Sequence, residues 1–112
     1  MLKKYQRLNN SEFKEVFKLN SPYRVPGLLL LQPESPILFS KYAVAVSKKL
    51  YPRRVDRNRL RRVIYQAIRQ LINGQNKLRS GIVVVSKTDE KLINYSTEQI
   101  NLLVTKLLVV KD

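Results

Sequence analysis

Residues 48–70 read KKLYPRRVDRNRLRRVIYQAIRQ, and the first fifteen of them carry eight Lys or Arg against one acid, Asp56. The same stretch has helical spacing. Taking 100° per residue from Leu60, the side chains of Leu60, Val63, Ile64, Ala67, Ile68 and Leu71 fall within an arc of about 140°, which makes a packing stripe. Roughly opposite lie Asn58, Arg62, Tyr65 and Arg69, with Arg59 and Arg61 on the flanks and Arg57 in the first turn. One face packs, and the other offers guanidinium forks around an aromatic ring. Asp56 is placed to cap the helix start, and Gly74 to end the helix just after Asn73.

Working outward, GIVVVS at 81–86 is short and β-branched, the pattern of a buried strand. A last helix begins at Ser96, with Gln99 in the capping-box position and Tyr95 facing Ile100 as a hydrophobic staple. Its core stripe is Ile100, Leu103, Val104, Leu107 and Leu108. On the N-terminal side, LLLLQ at 28–32 and AVAVS at 43–47 read as strands, separated by a turn region containing Pro33 and Pro36. ILF at 37–39 is a candidate extension of the second, and Tyr23–Val25 carries a weaker strand signal. Residues 9–19 predict a short helix with Asn9 as N-cap, Glu12 as its capping-box partner and a Leu8–Phe13 staple. Phe13, Val16 and Phe17 share one face of it. The order is helix, two or three strands, helix, strand, helix.

The chain has 112 residues, 44% of them hydrophobic, which predicts a single domain over 1–112 with one modest core. Twenty-two Lys and Arg against eight Asp and Glu give a net charge of +14, a self-repelling molecule that attracts polyanions. With no Cys there is neither a disulfide framework nor a thiolate metal site, as suits a reducing compartment. No apolar run approaches the roughly 20 residues of a membrane span, and the N-terminus has no signal-peptide pattern. A cytoplasmic protein with no membrane partner is expected.

The chain also lacks His, and its acids are scattered, so neither a near-neutral general acid–base pair nor a carboxylate metal cluster is legible. No catalytic and no metal-ligating residue is assigned. A nucleic-acid binder is favoured over an enzyme whose own side chains do the chemistry. Arg outnumbers Lys six to two in the basic window, and a planar fork suits phosphates and base edges. A lipid-surface helix is the main competitor, weakened by an aliphatic face that lacks Trp and Phe. Composition does not separate RNA from DNA.

Ser47-Lys48-Lys49 followed by Arg57-Asn58-Arg59-Leu60-Arg61-Arg62 resembles the signature of the bacterial ribonuclease P protein subunit. The resemblance runs over nearly the whole chain, in family order. It implies an α/β sandwich in the order αβββαβα, similar to a domain of a ribosomal protein, with a left-handed βαβ crossover. It implies binding to a large catalytic RNA and assistance in removing the 5′ leader from precursor tRNA, an endonuclease reaction whose hydrolysis is carried out by the RNA and its bound Mg²⁺. No obligate protein partner is implied. Carried over by position, Arg57, Asn58, Arg59, Arg61 and Arg62 are the candidates for contact with the catalytic RNA, with Lys48 and Lys49 just before them. Arg53, Arg54, Tyr65 and Arg69 join them from the same basic block. Phe13, Lys14 and Phe17 are the candidates for the leader-binding cleft. Tyr65 departs from the family pattern, which places an Arg there, and LLLLQ lacks the aromatic often found in the cleft's strand wall. The alternative is a ribosomal or general RNA-binding protein with no role in processing.

Overall fold

The computed structural model of the chain describes residues 22–31, 41–74, 77–79, 81–86 and 92–110. The expected helix over 9–19, including Phe13, Lys14 and Phe17, and the segment 37–39 lie outside them. Four strands, β1 (Pro22–Val25), β2 (Leu28–Leu31), β3 (Tyr42–Ala45) and β4 (Gly81–Val85), form one sheet in the order β1-β2-β4-β3. The helices are α1 (Arg54–Asn73) and α2 (Thr97–Leu108), with a 3-10 turn at Leu92–Asn94. From the first strand onward this is the expected order of elements.

The weak strand signal at 23–25 is a real hairpin arm. β1 and β2 pair antiparallel, Val25 opposite Leu28, across a two-residue turn. Pro26 presets its own φ, and Gly27 at φ +84 supplies the left-handed residue that a type II turn needs. Gly27 also lies under Leu92, where an added Cβ would meet Cδ2 at 3.1 Å. β2 pairs antiparallel with β4, and β3 pairs parallel with β4, Val44 opposite Val83. Parallel neighbours need a crossover, and α1 provides it.

Strand alternation divides the sheet into two apolar faces. Leu28, Leu30, Tyr42, Val44, Val83 and Val85 point toward the helices. They meet Leu60, Val63, Ile64, Ala67 and Ile68 of α1, and Ile100, Val104, Leu107 and Leu108 of α2. These include all but one residue of each expected packing stripe, and the remaining two, Leu71 and Leu103, are half-buried at its margin. The opposite face carries Leu31 and Ile82, both buried, and the half-buried Leu29, Ala43, Ala45 and Val84.

The helix ends differ in how well they were foreseen. α2 starts as expected: Ser96 Oγ accepts from Gln99 N–H, and Gln99 Oε1 accepts from Ser96 N–H. α1 starts earlier than expected, at Arg54. Its N-cap is Arg53, which makes no side-chain capping bond, and Asp56 sits inside the first turn. The reason is backbone continuity, because Arg57 N–H already donates to Arg53 O at 3.2 Å. Asp56 acts there on the helix dipole and not as a cap. Gly74 does end α1, with φ −78 and its N–H returned to Gln70 O, so no left-handed residue is used.

Candidate nucleic-acid interface

The basic block is held in three parts. The first is the loop after β3. Lys49 N–H donates to Ser47 Oγ at 3.0 Å, and Tyr51 N–H donates to Ser47 O at 3.0 Å, closing a tight turn that leaves Lys48 and Lys49 exposed. The buried Tyr51 anchors this loop: its hydroxyl accepts from Leu92 N–H at 3.0 Å, and burial raises the phenol pKa above its ordinary value.

The second part is the RNR segment, where the structure gives three arginines structural partners as well as charge. Arg57 is half-buried, and its Nη1 donates to Tyr51 O at 2.9 Å and Pro52 O at 2.8 Å. It ties the helix start back to the loop. Arg59 Nη1 donates to Ile93 O at 3.0 Å, joining α1 to the 3-10 turn on the other flank. Arg61 Nη2 donates to Asn58 Oδ1, one turn back. A guanidinium has five N–H donors, so each of the three keeps others for an external anion. Arg53, Arg54 and Arg62 are exposed, as is Arg69.

The third part is a groove of about 890 Å³, lined among the described residues by Asn58, Arg61, Arg62, Tyr65, Gln66, Arg69, Gln70 and Asn73. These fall into two adjacent rows at i, i+4 spacing, Asn58–Arg62–Gln66–Gln70 and Arg61–Tyr65–Arg69–Asn73, running about 22 Å along α1. No acid is among them. Tyr65 is half-buried, packs against the core, and its hydroxyl accepts from Val44 N–H at 3.2 Å. In the parallel register with β4 that N–H faces away from β4, on the outer side of the sheet among the described residues, and Tyr65 satisfies it.

Of the expected RNA contacts, the groove therefore gathers Asn58, Arg61, Arg62, Tyr65 and Arg69. Lys48, Lys49, Arg53, Arg54, Arg57 and Arg59 are not among its lining. Gln66, Gln70 and Asn73 were not singled out in the sequence, although continuing the two i+4 rows would have found them.

A family model described as Ribonuclease P matches residues 1–109. The chain belongs to the ribonuclease P protein family. Solved structures share its fold, two of them as follows. One is a Staphylococcus aureus RNase P protein mutant with defective mRNA degradation activity, 19% identical, with a TM-score of 0.67 over 93% of this chain and 86% of that one. The other is the Staphylococcus aureus RNase P protein, 20% identical, with a TM-score of 0.61 over 94% and 93%. No curated protein sequence matches. In this family member the signature's asparagine and its later arginines open the groove, while its first two arginines also brace the helix against loop and turn.

Proposed function

We propose that the chain, as the protein subunit of ribonuclease P, binds the catalytic RNA through α1 and the 5′ leader of precursor tRNA through the opposite face of the sheet. It thereby assists endonucleolytic removal of the leader to give the mature tRNA 5′ end in the cytoplasm. The observation that carries this reading is the acid-free groove on a helix of a ribonuclease P family member. Its arginines suit phosphates, and together with the exposed Lys48, Lys49, Arg53 and Arg54 they make one helix and its entry loop the cationic side. Arg57 and Arg59 contribute charge there while holding the helix in place.

The leader, on this reading, lies against Leu29, Ala43, Ala45 and Val84, the half-buried residues of the second sheet face. Phe13, Lys14 and Phe17 are the further leader contacts proposed from the family resemblance. An aliphatic strand wall leaves base stacking to the two phenylalanines, each stack contributing about 1–3 kcal/mol.

The hydrolysis belongs to the RNA and the Mg²⁺ it holds. The described carboxylates, Asp56 and Glu98, stand in the first turns of different helices and form no group that would hold the ion. Among the described residues no helix is long and apolar enough to cross a membrane.

Reconstitution tests the proposal. The purified protein alone is expected to leave precursor tRNA intact, and to raise its cleavage by a cognate catalytic RNA at low Mg²⁺. Cleavage by RNA-free protein would overturn this division of labour. Co-purification separates the general RNA-binding alternative: one discrete catalytic RNA supports the proposal, and ribosomal subunits oppose it.

A further inference from the structure

The groove on α1 changes character along its length. Its N-terminal end, Asn58, Arg61 and Arg62, is dominated by guanidinium groups, whereas beyond Tyr65 it holds Gln66, Arg69, Gln70 and Asn73, three carboxamides to one cation. Phosphate binding does not need carboxamides. A carboxamide offers a donor and an acceptor side by side, which is the pattern that pairs with the edge of a nucleobase. Tyr65 adds an aromatic ring at the point where the two kinds of lining meet. Its hydroxyl is tied to Val44 N–H and the ring packs on the core, so its position is set before any ligand arrives.

We infer that this half of the groove is a site for one unpaired RNA base, stacked on Tyr65, with its edge read by the carboxamides of Gln66 and Gln70. Arg62 and Arg69, two turns and about 10 Å apart along the helix with Tyr65 between them, hold the phosphates on either side of that nucleotide. The base must be unpaired, because stacking on a side chain needs a free face and the narrow major groove of an RNA duplex does not admit one. Asn73 closes the far end of its row. The absence of acids among the described lining residues and the +14 charge of the chain select a polyanion over a neutral or cationic occupant. The inference rests on the catalytic-RNA reading and specifies what part of that RNA this surface recognises: a single-stranded loop or bulge, not a continuous helix.

Full-length protein is titrated with a cognate catalytic RNA over a range of salt, and then in competition with single-stranded and duplex RNA of equal length. Four proteins are compared: wild type, Tyr65→Leu, the double variant Gln66→Ala with Gln70→Ala, and Arg62→Ala. Gln66 and Gln70 are exposed, so the double variant keeps the core intact. Tyr65→Leu and the double variant are expected to lose about tenfold in affinity with an unchanged salt slope, and to lose the preference for single strands. Arg62→Ala is expected to lower the slope by about one while keeping that preference. Wild-type affinity and strand preference in the double variant, with Arg62→Ala weakened, would overturn the base site and leave the RNA-binding role standing. If Arg62→Ala also binds as wild type does, the α1 face is not the RNA surface at all. Equal displacement by single-stranded and duplex RNA from the wild type would likewise reject an unpaired base.

Discussion

Tyr51 shows how one side chain sets the entry to the basic helix. Its hydroxyl accepts from Leu92 N–H, its own N–H closes the Lys48–Lys49 turn, and its carbonyl receives Arg57. Tyr51→Phe leaves Leu92 N–H buried without that acceptor and is expected to cost about 1–3 kcal/mol, read as a lower urea midpoint. The phenol's raised pKa adds a pH signature. In the unfolded chain Tyr51 ionises near its ordinary value, whereas the folded state resists ionisation, so its contribution is complete below about pH 10 and is lost as pH rises through the folded pKa. Comparing alkaline unfolding of wild type and Tyr51→Phe should show a shallower decline in the variant. Gly27 is the other end of the same contact set, positive in φ and lying against Leu92. Gly27→Ala is expected to destabilise by about 1–3 kcal/mol, checked by the urea midpoint at unchanged m-value.

At the scale of the element, α1 trades stability for cations. Its N-cap is an arginine without a capping bond, at the position where Ser, Asp or Asn would satisfy an exposed N–H. Arg53→Ser is expected to raise stability by about 0.5–2 kcal/mol while weakening binding to the catalytic RNA, measured by thermal melting and RNA titration of one preparation. A gain in both would show that Arg53 has no part in the interface. The packing stripe of α1 and the capping box of α2 were legible because they depend on spacings of three and four residues. The start of α1 was misplaced because Asp56 is the better capping residue by type, yet the chain enters the helix at Arg54, where Arg57 closes the first hydrogen bond. The anchoring of Arg59 to Ile93 spans 34 residues of sequence, and a contact of that range leaves no local pattern to read. Tyr65 was placed correctly on the wheel, but its partner, Val44 N–H, belongs to a strand whose outer position only the assembled sheet defines.

For the molecule as a whole, the unreadable step was the sheet order. Strand identities could be read from short apolar runs bounded by turn residues, but the insertion of β4 between β2 and β3 is a long-range pairing that α1 makes possible. The net charge, by contrast, is written directly in composition. At +14 the folded protein bears its own repulsion, so in the absence of RNA its melting temperature is expected to rise between low and moderate ionic strength, measured by calorimetry in sodium chloride. A melting temperature that falls over that range would mean that local attractions outweigh the repulsion.

The bond from Tyr65 to Val44 also bears on how copies of this chain behave toward one another. An outer strand with open N–H groups is a template on which a second molecule can add a strand, and from there a fibre can grow. The phenol hydroxyl occupies one such group on β3, the outer strand of the sheet among the described residues. The tyrosine that lines the groove thereby also removes one N–H of β3 from those a second chain could pair with.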